Sequence, residues 1–300
     1  MPLAACGRPG ASHRGRGLRY CTLALSSGIS GAMDKQIICI NWGTKYGAPY
    51  INRLYGMVER NITGPFTFNC YTDSAEGVRP EVICRDLPPS DIVMPESKGI
   101  WPKSRLWNKT LEGLSGPVLF LDLDLVITGS LDGFFEYGDP DDVILGRNPT
   151  TPFEKLGQTS IFRFPIGKLA PLLDIFGADP QGIADKYEFE QRFVTRNAPG
   201  GVKFWPKPWI RHFRTQCIPF FPLNYIWSPW LPKDARVVIF PATPNPPDAL
   251  EGRWWSDVPE VDRWTHIKRT WTGPRNVRGR FRHLRRFLLP TPWIAEHWRE

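Results

Sequence analysis

The 300-residue chain carries 38 Lys and Arg against 30 Asp and Glu, for a formal charge of +8, and it is rich in Trp (13) and Pro (31). The positive excess sits at the ends: residues 1–33 hold four Arg and no acid, residues 263–300 hold ten Lys/Arg and two Glu, and 24 basic and 28 acidic residues lie between. Nucleic-acid binders carry their charge across the binding domain, so no nucleic-acid partner is expected, and no apolar run is long enough to cross a bilayer.

Residues 1–33 are Gly-, Ser-, Ala- and Arg-rich and without periodicity, which predicts a disordered leader, with Met33 as an alternative start. From Gln36 the pattern becomes regular. Ile37–Ile40 reads as a strand, followed by the loop Asn41–Gly47 and a helix with Tyr50, Ile51, Leu54, Tyr55 and Val58 on one face. Phe66–Thr72 and Val82–Cys84 read as the next strands, and 102–114 as a helix. The six cysteines have no metal-site spacing, and Cys39, Cys70 and Cys84 fall in apolar runs, which predicts buried thiols in a reducing, cytoplasmic setting.

The next run, Val118–Ile127, is aliphatic but carries two carboxylates, Asp122 and Asp124. A buried carboxylate is costly unless paired or bound to a cation. Residues two apart on a strand point the same way, so both acids face one side near the strand's C-terminal end, where open α/β sheets bind ligands. A divalent cation shared with a phosphorylated ligand fits such a pair. Beyond it, Leu131–Tyr137 reads as a short helix, Val143–Gly146 and Gly157–Phe164 as strands, and 167–176 and 183–196 as helices. Residues 198–235 lack periodicity, and Val237–Phe240 is a last strand. Val277, Phe281, Leu284 and Leu288 share a helical face among clustered Arg, as in a helix that packs on the sheet or lies on anionic lipid. Strands alternating with helices predict an α/β fold with a mostly parallel sheet.

With these pieces in order, residues 36–246 resemble the GT-A nucleotide-sugar glycosyltransferases, most of all the glycogenin and lipopolysaccharide-galactosyltransferase group, family 8. The resemblance implies a GT-A domain over 34–262, with 263–300 as a basic helical extension. It also implies transfer of a hexose from a UDP-sugar to a glycan or lipid-linked acceptor, with retention of configuration. By that resemblance Asp122 and Asp124 hold Mn²⁺ or Mg²⁺. Asn41, Thr44, Tyr46 and Asp73 surround the nucleoside, Tyr46 by stacking on uracil. Lys103 and Arg105 reach the donor's sugar and phosphates. Gln158, Thr159 and Ser160 lie under the sugar, and Glu190 and Gln191 stand near the anomeric carbon. One departure stands out: the family's late His and Lys are absent, with Pro241 and Asn245 in their region, so that His212, His266 or His297 would have to supply a third ligand.

On ordinary grounds Trp42 reads as a packing residue, as do most of Trp205, Trp209, Trp227, Trp230, Trp254 and Trp255. Two rival functions compete. The Asp-Leu-Asp strand also resembles the first motif of haloacid-dehalogenase-type phosphatases, in which Asp122 is the nucleophile and Asp124 the acid/base. That family begins its catalytic domain with this strand, whereas strands precede it here. The other rival is a catalytically silent sugar-nucleotide-binding relative.

Overall fold

The computed structural model describes residues 35–96, 99–151, 153–259 and 262–300. The leader over 1–33, with Met33, Cys6 and Cys21, lies outside the described residues. In chain order the elements are β1 (Lys35–Asn41), α1 (Ala48–Arg60), β2 (Phe66–Thr72), β3 (Ile83–Arg85), a 3₁₀ helix (Trp101–Trp107), β4 (Pro117–Leu121), β5 (Val126–Ile127), α2 (Asp132–Glu136), β6 (Ile144–Arg147) and β7 (Gly157–Pro165). There follow α3 (Ala170–Ala178), α4 (Pro180–Tyr187), α5 (Glu190–Asn197), β8 (Lys203–Phe204), β9 (Ile210–His212), β10 (Val237–Ile239), α6 (Pro246–Glu251), α7 (Arg263–Thr272), α8 (Val277–Leu284) and α9 (Trp293–His297).

Among the described residues, seven strands form one sheet in the order β3-β2-β1-β4-β7-β6-β8. Only β7 runs against the others, antiparallel to both β4 and β6. The mostly parallel α/β sheet expected from the alternation is therefore present. Its central strands are apolar on both faces: Ile37, Ile38 and Cys39 of β1 and Val118 to Leu121 of β4 are fully buried, as covered parallel sheets require. One layer of the core stacks Trp101 on Phe176 at 4.8 Å, beside Trp107 and Phe193, against Phe120 and Phe162. From β1 the chain steps outward through β2 and β3, then returns to place β4 on the other flank of β1. This reversal opens a crevice at the C-terminal ends of β1 and β4. A second sheet, β5-β10-β9, continues from the residues just after Asp124.

Four expectations change. The Val118–Ile127 run is not one strand: β4 ends at Leu121, and Asp122 and Asp124 lie in the turn before β5. The 102–114 segment is not an α-helix: residues 101–107 form a 3₁₀ helix, Asn108 turns extended, and Gly113 takes φ +71°. Trp101, Ser104 and Trp107 are all buried, and three-residue spacing is the period at which 3₁₀ side chains align. The helix expected over 183–196 is interrupted, because Glu188 adopts φ 62° and Phe189 is extended, separating α4 from α5. The apolar face expected on the basic helix divides: Leu284 and Leu288 are buried, whereas Val277 and Phe281 are exposed.

The C-terminus docks on α1. A Cβ at Gly56 would meet the Glu300 backbone at 2.6 Å. The Arg60 guanidinium donates to the carbonyls of His297, Arg299 and Glu300. On β7 the fully buried Arg163 donates to the Phe134, Phe135 and Asp139 carbonyls and so ties α2 to the sheet. Cys39, Cys70 and Cys84 face one another in register across β1, β2 and β3 as free thiols.

Candidate active site

The crevice is built from two loops. After β1, Gly43 and Gly47 take φ +64° and +68°, a left-handed conformation open to Gly at little cost. The buried Asn41 fixes this loop, donating to Thr72 Oγ1 and accepting from the Gly47 N–H. Asp73 accepts from the Gly43 N–H at 2.7 Å, so this exposed acid braces the loop. After β4, the Asp122 N–H donates to the Ser160 carbonyl of β7, which holds the Asp-Leu-Asp turn against the sheet edge.

These loops bring side chains into direct contact. The Tyr46 hydroxyl donates to Asp124 Oδ2 at 2.6 Å, and Lys45 Nζ stands 2.7 Å from the same hydroxyl and over the Tyr46 ring. From the 3₁₀ helix, Lys103, itself buried, reaches Asp122 Oδ1 at 2.5 Å. The buried Glu190, at the start of α5, accepts from the Thr159 hydroxyl. Its charge acts on Lys103 and Asp122. Gln158 donates to Ser160 Oγ, and its own carbonyl oxygen is buried with no partner.

Three carboxylates thus surround one buried ammonium. Burial pulls the Lys103 ammonium down, but Asp122 and Glu190 outweigh it and hold it above the usual lysine value. For Asp124 the balance goes the other way. Burial, then the neighbouring Asp122 charge, push it up to about 6, against the opposing pull of Tyr46, Lys45 and Lys103. Burial and the Asp124 charge raise Tyr46 well above the usual phenol range, so it stays a donor. Burial raises Glu190 also.

A cavity of about 280 Å³ opens over this cluster, lined by Asn41, Trp42, Lys45, Tyr46, Lys103, Asp122 and Asp124 among others. The structure thus brings together five of the residues singled out in the sequence. Thr44 is exposed on the same loop. Arg105 donates to the Pro88 carbonyl, and neither it, Asp73 nor Gln191 lines the cavity. Trp42 is not a core residue: it is exposed and forms part of the wall. Lys45 was not singled out, although its place next to Tyr46 in a Gly-bounded loop was a usable signal. Of the other Trp residues, Trp205 is buried, whereas Trp227 and Trp230 are exposed.

The pair of carboxylates fits a hard dication. Their mutual repulsion raises the proton affinity of Asp124, and a cation shared between them relieves it. Among the described residues no group of three His, Cys, Asp or Glu assembles to hold a metal. His212 is buried on β9 with Nδ1 unpartnered, and burial, then Arg214, lowers it to about 4. His266 stacks on His283 at 4.2 Å. A dication here would take its remaining ligands from the diphosphate and water, as Mg²⁺ commonly does.

No family model and no curated protein matches the chain. Among solved structures it resembles the glycosyltransferase GlyE of Streptococcus pneumoniae, with TM-score 0.53 and 11% identity over 84% of this chain and 62% of that one. It also resembles the galactosyltransferase LgtC in complex with donor and acceptor sugar analogs (TM-score 0.47, 13% identity, 70% and 88% covered). A further match is mouse xyloside xylosyltransferase 1 (TM-score 0.46, 13% identity, 69% and 97% covered). The chain spans about three fifths of GlyE, and the likeness establishes a GT-A fold.

Proposed function

We propose that the chain is a glycosyltransferase that moves a hexose from a UDP-sugar to a glycan or lipid-linked acceptor. The observation that carries this reading is the Asp122–Asp124 pair at the switch-point crevice, with Lys103 against one carboxylate and Tyr46 against the other. The three strands that precede β4 in the same sheet weigh against the phosphatase reading.

In this reading Tyr46 and Trp42 offer aromatic faces to the uracil, and Asn41 and Asp73 hold the loop that carries them. Asp122 and Asp124 would hold Mn²⁺ or Mg²⁺, which when bound would neutralise charge on the departing diphosphate. Lys103 holds Asp122 in place and adds its own positive charge beside the phosphates. Gln158, Thr159 and Ser160 form the floor beneath the sugar, with the unpartnered Gln158 carbonyl oxygen as an acceptor for a sugar hydroxyl. As the bond from the anomeric carbon to UDP breaks, its electron pair leaves with UDP. The acceptor hydroxyl oxygen bonds the same carbon and passes its proton to the departing phosphate oxygen. With retention of configuration, as in family 8, Glu190 would lie on the face opposite the leaving group, where its negative charge stabilises the developing cation, with Gln191 next to it in the chain.

Residues 263–286 hold nine Lys/Arg and no Asp or Glu. Trp264, Trp271, Val277 and Phe281 are exposed there. This surface suits contact with an anionic lipid surface on the cytoplasmic side, which would present a lipid-linked acceptor. Among the described residues no helix is long and apolar enough to cross a membrane.

A second reading, nucleotide-sugar binding without transfer, is favoured by the ammonium already on Asp122 and by the absence of a third ligand among the described residues. Calorimetric titration of UDP with and without Mn²⁺, on the wild type and Asp124→Ala, comes first. Metal- and Asp124-dependent binding followed by turnover of a UDP-sugar supports the transferase. Binding without turnover supports the silent relative, and no UDP binding removes both.

A further inference from the structure

A second cavity, of about 290 Å³, opens at the same edge of the sheet, around the end of β6. Its wall includes Arg147, Asn148, Trp205, Lys207, Arg211 and Gln216, and no carboxylate. Several of its groups are donors without acceptors. Arg211 Nε is buried and makes no hydrogen bond, and neither does the indole N–H of the buried Trp205. The Gln216 side-chain oxygen accepts from the His212 N–H at 2.8 Å, which leaves its NH₂ group as a donor. Lys207 is exposed at the mouth. A concave site that gathers Lys207, Arg211 and the Gln216 NH₂ group with no carboxylate is complementary to an anionic oxygen group.

Strand register relates this cavity to the carboxylate pair. Asp122 is bonded to Ser160 of β7, and Gln158 of β7 is paired with Gly146 of β6, which lines the cavity. Two strand spacings across the sheet and a two-residue offset along it, roughly 12 Å in all, separate the two positions, a span that a short oligosaccharide bridges.

We infer that this cavity is an acceptor subsite for a sugar bearing a phosphate or carboxylate, held by Lys207, Arg211 and Gln216. The inference rests on the transferase reading for the word acceptor, whereas the anion-binding cavity stands independently of it. The acidic crevice takes the nucleotide through a metal, and the cationic cavity takes the acceptor's charge directly, so the two ligands sort themselves by electrostatics.

The test titrates the full chain, with and without saturating UDP and Mn²⁺, with glucose 6-phosphate, glucose and inorganic phosphate. The expected result is binding of glucose 6-phosphate in the presence of UDP, with glucose and inorganic phosphate each at least roughly tenfold weaker, and roughly tenfold weaker binding of glucose 6-phosphate by Arg211→Gln with UDP affinity unchanged. Lys207→Gln, at an exposed position that does not threaten folding, weakens it severalfold. Competition between glucose 6-phosphate and UDP, equal affinity for inorganic phosphate, or unchanged affinity in Lys207→Gln overturns the inference. Absence of UDP binding with glucose 6-phosphate binding intact would instead fault the transferase reading alone.

Discussion

Two clefts open on one edge of the sheet, and they differ in charge and in construction. The crevice between β1 and β4 gathers the half-buried Asp122 and Asp124 and the buried Glu190 around a single Lys103. The cavity beside β6 and β9 gathers Arg147, Lys207 and Arg211 with no carboxylate. Every acid of the first is partnered by a side chain, so its energetics depend on pairs. In the second, Lys207, Arg211 and the Gln216 NH₂ group meet no carboxylate in the wall, so its character depends on a ligand. The contrast teaches that a buried charge cluster and an unfilled donor cluster respond differently to mutation. The first loses stability and the second loses affinity.

The largest effect is expected where a pair is broken. Lys103→Met leaves Asp122 without its counter-ion and should destabilise the fold by about 3–5 kcal/mol, lowering the melting midpoint by about 10 °C. Adding Asp122→Asn should restore part of that loss. A Lys103→Met chain that melts with the wild type would break the comparison. Next, Asp124→Ala should remove metal-dependent UDP binding and lower transfer by roughly 100-fold or more, measured with UDP-sugar turnover, while leaving glucose 6-phosphate binding at the other cleft intact.

A third expectation concerns pH. Asp124 is raised to about 6, so the folded chain binds this proton more tightly than the unfolded one. Its contribution to stability is complete below the unfolded carboxylate value, about 4, and is lost as pH rises through about 6. A dication takes the proton's place on the ionised pair. Mn²⁺ should therefore raise the melting midpoint at pH 7.5, with the effect fading by pH 5. An equal shift at both values would detach the metal from Asp124. The smallest effect belongs to Tyr46→Phe, which keeps the ring but loses the hydrogen bond to Asp124. Affinity for UDP should fall by about 0.5–1.5 kcal/mol, read by the same titration.

Legibility in the sequence followed the same divide. The Asp-Leu-Asp turn could be read because two carboxylates in an aliphatic run conflict with burial, and such a conflict marks a site. Tyr46 and Asn41 could be read because their loop follows a strand of clear pattern. Arg105 fits the same spacing argument as Lys103, yet it bonds the Pro88 carbonyl while Lys103 meets Asp122. The two differ because the segment winds with three residues per turn rather than 3.6, which no local pattern announced. Trp42 reads as packing in sequence, since an aromatic gives no sign of which side of a loop it occupies.

The sequence by itself determined the strand–helix alternation of the first half, the mostly parallel sheet and the strand that leads into the acids, because apolar periodicity and turn residues act locally. Only the tertiary structure decided which cation faces Asp122, that Glu190 joins the same charge cluster from a segment 68 positions away, and that Trp205, Lys207, Arg211 and Gln216 surround one cavity with the end of β6. Those groupings depend on strand order and register, which join residues distant in the chain, and no local pattern records them.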